Sequence, residues 1–393
     1  MNVHVNLNVN VHVEARMNKR SISTMADVAR VCGVSIQTVS AVVNDRPGIS
    51  DETRLRVRAA MSELDYQPNQ QARTLRGFKN PMVGVIIPSI TNPYFPELVR
   101  GIEDVARRSG HGLFLCNDDY DGGKALEYFH FIRANNASGL IASPGLVARS
   151  IDGEIERQIH AFARRNVPVV FFGEEKPDLP VISIIVDARE AVHDAARHLL
   201  ELGHRRIGLI APPEGLLVAR ERVHDFSEAF AALGHPLDPA RIVPGSFDIE
   251  AGGTGTEALM SMPDRPTAII AANDLVAMGA IAALQARGLR VPDDVSVLGF
   301  DDIPFARVFQ PSITTVAQPI YQLGEAAMAA ILDPETANPQ EMTPGRRIWL
   351  KASLVVRQST GPCRESPAIK RKTATLRNTT PREERHDHED HET

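Results

Sequence analysis

The apolar positions along the chain change rhythm twice. Over the first 16 residues, MNVHVNLNVNVHVEAR, Val or Leu alternates with Asn or His. A period of two suits a strand, but so repetitive a stretch reads as a low-complexity leader ahead of the folded chain. From Ser21 to Asn80 the spacing is helical and closely punctuated. Thr24 is placed to cap a first helix with Met25, Val28, Ala29 and Cys32 on one face, and Gly33 to stop it in the left-handed conformation. Ser35 would cap a second helix, Ile36 to about Val43, and Ser50 a third that runs through Leu64. A fourth short stretch, Gln70 to Arg76, follows Pro68-Asn69 and ends at Gly77.

From Met82 onward strands alternate with helices. The runs VGVIIPSI, GLFLCND, GLIASPG and VPVVFFG, then RRIGLIAPP, TAIIAAND and VSVLGFDD, are apolar for four to seven residues and close on Pro, Gly, Asn or Asp. Strands buried on both faces read this way, and two such series predict two doubly wound parallel-sheet lobes. The expected fold class is α/β: an all-α helix-turn-helix head followed by the two lobes. Binding chemistry belongs at the carboxyl ends of the strands and in the cleft between lobes. The expected divisions are a disordered leader over 1–20, the head over 21–67 and a linker over 68–80. A two-lobed body spans 81–360, and a disordered charged tail spans 361–393.

Charge sharpens this division. The 393 residues carry a net −6, but Met17 to Asn80 holds ten Lys/Arg against six acids, while leader and tail each balance. That leaves −10 for residues 81–360. A basic head on an acidic body is the footprint of a chain that touches a polyanion at one end only. The three cysteines, Cys32, Cys116 and Cys363, are too few and too scattered for a disulfide framework or a zinc cluster. No apolar run is long enough to span a bilayer, and the first residues lack the basic start and apolar block of a signal peptide. The chain therefore reads as cytoplasmic, with no membrane partner.

The most specific motif is MADVARVCGVSIQTVSAVVN, Met25 to Asn44. Two helices joined by a short glycine turn make a helix-turn-helix, whose second helix lies in the major groove of double-stranded DNA. At the start of that helix Ile36, Gln37 and, one turn on, Ala41 would face base edges. Gln37 can pair bidentately with adenine, and the two apolar side chains can meet thymine methyls. Ser35, Thr38, Ser40 and Asn44 are short polar groups suited to phosphates, assisted by the helix dipole.

Taken together, TMADVARVCGVSIQTVSAVVND, ISDETRLRVRAAMSELDYQPNQQARTLR, GHRRIGLI, RPTAIIAANDLVAMGAIAALQARGLRVPDDVSVLGFDD and PSITTVAQP resemble the lactose-repressor and galactose-repressor (LacI/GalR) family of bacterial regulators. The resemblance covers residues 22–358. It implies a homodimer that represses transcription from a pseudo-palindromic operator. It also implies a periplasmic-binding-protein-like body whose cleft takes a small-molecule effector, a sugar or sugar derivative. Gln70–Arg76 would be a hinge helix that orders on DNA, with Leu75 as a minor-groove wedge and Ala72 and Arg73 reading beside it. Tyr94, Phe95, Arg222, Phe247, Asn273 and Asp301 would contact the effector, rings against its apolar faces and polar groups on its hydroxyls. No cofactor or metal is implied.

Two departures from the family stand out. Many members carry an acid directly after the strand written here PVVFF, where this chain has Gly173 and then Glu174-Glu175. Leu216–Val218 is apolar where relatives often make polar contacts, and Arg220 adds a guanidinium beside Arg222, which keeps a sugar acid or phosphorylated sugar open.

Rival readings fare worse. A solute-binding protein for transport predicts no basic head. An enzyme acting on sugars needs a nucleophile, base or metal constellation, and no Ser/His/Asp or Cys/His spacing supplies one. AGGTGTEAL lacks the third glycine of a nucleotide loop, and DDYDGGK puts His130 where a calcium loop needs its closing Glu. His386, His388 and His391 lie in a solvated tail, where Ile369 and Leu376 begin no sustained heptad.

Overall fold

A computed structural model describes residues 23–67, 80–143, 153–173, 178–213, 216–333, 335 and 345–364. The chain divides into two compact units between residues 78 and 79. In the first unit α1 (Met25–Cys32), α2 (Ile36–Val43) and α3 (Asp51–Glu63) form as their punctuation predicts. Thr24 and Asp27 close a capping box. Thr24 Oγ1 accepts from the Asp27 N–H at 3.3 Å, and the Asp27 carboxylate accepts from the Thr24 N–H at 2.9 Å. Gly33 takes φ +63°, which costs glycine little, and the chain bends by 107° from α1 into α2. Ser35 and Ser50 accept from the N–H groups of Thr38 and Thr53. Helices this short are marginal alone, so the shared core of Val28, Val39, Val42 and Val57 holds the unit together.

The second unit holds two six-stranded sheets. The first lobe is built from β1 (Asn80–Ile87), α4 (Tyr94–Arg108), β2 (Gly112–Asn117), α5 (Gly122–Ala134), β3 (Ala137–Ala142), α6 (Glu154–Ala163), β4 (Val169–Phe172) and β5 (Ile182–Asp187). The chain then crosses to the second lobe. It lays down α7 (Arg189–Glu201), β6 (Ile207–Ile210), α8 (Leu217–Ala232), β7 (Ile242–Val243) and α9 (Ile249–Met260). β8 (Ala268–Ala271), α10 (Asp274–Ala286), β9 (Ser296–Asp301) and β10 (Thr314–Ala317) follow. α11 (Ile320–Leu332) returns to pack on α4, β11 (Arg346–Lys351) pairs with β5, and β12 (Ser353–Val355) goes back beside β10. The strand orders are β11-β5-β4-β3-β1-β2 and β12-β10-β9-β8-β6-β7. Among the described residues the chain therefore passes between lobes three times, near residues 188, 318 and 352.

The seven apolar runs land on β1 to β4, β6, β8 and β9. Two expectations need correction. The sheets are not wholly parallel, because β12 runs antiparallel to β10. Nor is every run buried on both faces: β2 is an edge strand and leaves Leu115 exposed. β5, β7, β10, β11 and β12 fall outside the runs. β11 alternates half-buried and exposed residues, as a strand with one covered face does, and β10 buries Thr314 and Thr315 on hydrogen bonds.

Glycines set how closely the helices pack. A Cβ on Gly101 of α4 would overlap the Tyr321 carbonyl oxygen of α11, and one on Gly324 would overlap that of Leu98. Gly252 of α9 and Gly279 of α10 repeat the arrangement in the second lobe. No single helix among the described residues is long and apolar enough to cross a membrane.

Candidate functional site

On α2, Val39 and Val42 face the core. Ser35, Ile36 and Gln37 are exposed at the helix start, and Thr38, Ser40 and Ala41 are half-covered. Ile36 is 51% exposed and adds nothing to the unit's own core. With Gln37 it forms an apolar and amide-bearing surface of the kind a base edge can meet. The polar residues have structural work as well. Ser35 Oγ caps Thr38 and lies 2.9 Å from its hydroxyl, and Asn44 Nδ2 donates to the Ser40 carbonyl at 2.7 Å. Each hydroxyl still has capacity for an outside partner. Arg54 and Arg58 both reach Asp45, at 3.2 and 3.3 Å, so one acid answers two arginines just beyond α2. Ala72, Arg73 and Leu75, expected to form the hinge, lie outside the described residues.

In the second unit, strand ends and loops of both lobes open on one cavity of about 360 Å³. Tyr94, Phe95, Arg222, Phe247, Asn273 and Asp301 all line it. Tyr94 and Phe95 begin α4, with their rings edge-on at 5.1 Å. Arg222 comes from α8, Phe247 from the loop before α9, Asn273 caps α10 and Asp301 ends β9.

Arg222 is the electrostatic centre. Its guanidinium lies 3.6 Å over the Phe300 ring, Nη1 donates to the Ala272 carbonyl, and Nη2 stands 3.9 Å from Asp301 Oδ1. Burial lowers its pKa, and the Asp301 carboxylate opposes that shift. Burial pushes Asp301 up to about 6, against the pull of Arg222 and a hydrogen bond from Gln318 Nε2 at 2.7 Å. Asp301 also holds φ +108°, a conformation that costs an L-residue on the order of 1–3 kcal/mol and that surrounding structure must impose. A buried fork of donors beside a buried acceptor is the pairing that neighbouring hydroxyls need.

The other polar groups are partly spoken for. Asn273 Oδ1 accepts from the Val276 N–H at 2.9 Å, and Nδ2 donates to the Phe247 carbonyl at 3.1 Å. It is a cap and a strut first, with one N–H and one lone pair left over. Burial, then the nearby Asp301 charge, pushes the Tyr94 hydroxyl up, so it stays protonated and can donate.

Tyr120, Phe172, Asp225 and Trp349 also line the cavity and are not among the sequence candidates. Tyr120 sits in the loop after β2, where its N–H donates to Asp118 at 2.9 Å. Its ring stacks on Phe247, with centroids 6.1 Å apart and planes at 19°. The DDYDGGK run thus mounts an aromatic wall, and its positive-φ residues Asp119 and Tyr120 turn the loop there. Trp349, the only Trp in the chain, is 50% exposed on β11. Leu216, Val218 and Gly173 line the cavity, whereas Arg220 is exposed and forms no part of its wall. Arg220 therefore brings no cation to the cavity for an anionic sugar, contrary to the expectation from its place beside Arg222. Glu174 and Glu175 lie outside the described residues.

Residues 24–69 match the description "Bacterial regulatory proteins, lacI family", and residues 196–360 match "Periplasmic binding protein-like domain". The HTH-type transcriptional regulator DegA of Bacillus subtilis (strain 168) is 35% identical over 340 residues, covering 86% of this chain and 98% of that protein. The HTH-type transcriptional repressor CytR of Escherichia coli (strain K12) is 32% identical over 342 residues, 87% of this chain and 97% of CytR. Among solved structures, the lac repressor dimer bound to operator and the anti-inducer ONPF matches with a TM-score of 0.74 at 30% identity. That match covers 86% of this chain and 99% of the other. With a helix-turn-helix in its first unit, a two-lobed cleft in its second and relatives matched along nearly their whole length, this chain belongs to the lacI family of DNA-binding transcriptional regulators.

Proposed function

We propose that the chain is a cytoplasmic repressor, not an enzyme, that binds a pseudo-palindromic operator as a homodimer and adjusts its hold on DNA when a sugar-like molecule fills the cleft. One observation carries the reading. The same chain holds a helix-turn-helix with Ile36 and Gln37 exposed at its reading end and a cavity between lobes joined by three crossings. Such crossings can act as a hinge. A ligand held by Arg222 and Asp301 from one lobe and by Tyr94 and Tyr120 from the other favours one lobe arrangement, and only that differential affinity can shift the equilibrium.

Exposed apolar groups support the homodimer. Phe131 is 48% exposed and packs edge-on to Phe114 of edge strand β2, and Phe305 and Val308 stand exposed after β9. The lac repressor structure named above is a dimer on operator, and related regulators have been solved with ribose and with cellobiose. In this reading Ser35, Thr38, Ser40 and Asn44 meet phosphates, Ile36, Gln37 and Ala41 meet bases, and Ala72, Arg73 and Leu75 enter the minor groove. The head spans 21–67, the hinge 68–80 and the body 81–360.

The test is selection of genomic fragments from the host by the purified full chain, followed by sequencing. One enriched palindrome, with altered base preference for Gln37→Ala, supports the reading. No enrichment, with or without added cell metabolites, overturns it.

A further inference from the structure

Among the described residues, four carboxylates and two guanidiniums line the cavity: Asp187, Glu221, Asp225 and Asp301 against Arg189 and Arg222. Each guanidinium already faces a carboxylate of the wall. Arg189 reaches Asp187 through Nε at 3.1 Å and Nη2 at 3.3 Å, and Arg222 is shared between Asp301 and the Ala272 carbonyl. Asp225 stands apart. It lies on α8 one turn after Arg222, half-buried, and accepts no hydrogen bond from a described residue. Burial holds its pKa above the ordinary range, helped by the charges of Glu228 and Asp187 and opposed by His224 and Arg189. A carboxylate half withdrawn from water without a donor is costly unless the donor arrives with a ligand.

We propose that Asp225 is a specificity-determining residue of the effector cavity, and that it selects a ring compound bearing a protonated amine and no anionic group, of which an amino sugar is the simplest. The inference rests on the small-molecule reading of the cleft given above. Arg222 and Asp301 supply the fork and acceptor for hydroxyls. Tyr120, Phe247 and Trp349 offer faces that cover apolar ring edges and attract a nearby cation while repelling an anion. A phosphate or carboxylate would enter a wall with an excess of negative charge, where each guanidinium already faces a carboxylate.

The test uses the full chain near neutral pH and calorimetric binding of glucose, galactose and mannose. Each is offered as the neutral sugar, the amino sugar, the uronate and the sugar phosphate. For the sugar that fits, the amino form should bind about tenfold or more tighter than the neutral form, the scale of a charge-assisted hydrogen bond, with both anionic forms weaker than either. Asp225→Asn should bring the amino-to-neutral ratio close to one, and Asp225→Glu should restore part of it. Anionic forms that bind best, or an unchanged ratio in Asp225→Asn, would overturn the assignment while leaving the regulator reading intact. Failure of every compound to bind a chain that still selects DNA would overturn the sugar-like effector and this inference with it.

Discussion

Arg222 and Asp301 make each other tolerable in a site that water barely reaches. A lone buried guanidinium or carboxylate would be prohibitive, and together they leave donors and an acceptor for a ligand. The folded pKa of Asp301, about 6, lies above its ordinary 3.8. The native state therefore binds this proton more tightly. Its contribution to stability falls as pH rises from about 4 to about 6 and is constant beyond. Ligand binding through the carboxylate runs the other way: present above about 6 and lost below. Carbon-detected NMR of the ligand-free chain should give an Asp301 midpoint near 6, and Arg222→Ala should raise it further. A midpoint in the ordinary carboxylate range would remove this picture of the site. Much of the wall was legible because family-like aromatic and polar residues stand at matching positions, Asn273 and Asp301 at strand ends and Tyr94, Phe95 and Arg222 on helices. Tyr120 and Trp349 were not: one depends on the backbone twist of its loop, the other on a strand that returns from the far end of the chain.

At the scale of elements, the head was readable almost residue by residue, because each helix starts or stops on a local device. Thr24, Gly33, Ser35 and Ser50 act through their own neighbours in sequence. The sheets were readable where a strand is an unbroken apolar run; β5 and β10 interrupt theirs with Ser183 and with Thr314 and Thr315, which are buried all the same. β11 and β12 are short edge strands whose place depends on distant partners, and nothing local marks them. Helix packing is likewise a tertiary fact. Gly324 looks like an ordinary helix weakness, yet α4 leaves no room there for a methyl group. Ala elsewhere in a helix gains up to about 1 kcal/mol over Gly. Here Gly324→Ala should destabilise by about 1–3 kcal/mol, because overlap falls on backbone rather than on a yielding side chain. Urea unfolding followed by the single Trp349, in the same lobe, reads the effect. An unchanged or raised midpoint would contradict the close approach of α4 and α11.

At the scale of the whole molecule, charge and topology assign different work to the two units. The head segment is net positive and leaves Ile36 and Gln37 exposed at the start of α2, while the acidic body encloses a cavity between lobes that the described residues join by three crossings. The proposed account stands on a link between the two: what fills the cleft must alter the affinity for DNA. The direct measurement is fluorescence anisotropy on the selected palindrome, for the wild type and Arg222→Ala, with and without the host's small-molecule extract. The expected result is a change of about fivefold or more in wild-type affinity on adding extract, within the usual range of allosteric coupling. Arg222→Ala should keep its extract-free affinity and lose the change. A wild type indifferent to the extract, or an Arg222→Ala chain that fails to bind the palindrome without it, would contradict the link.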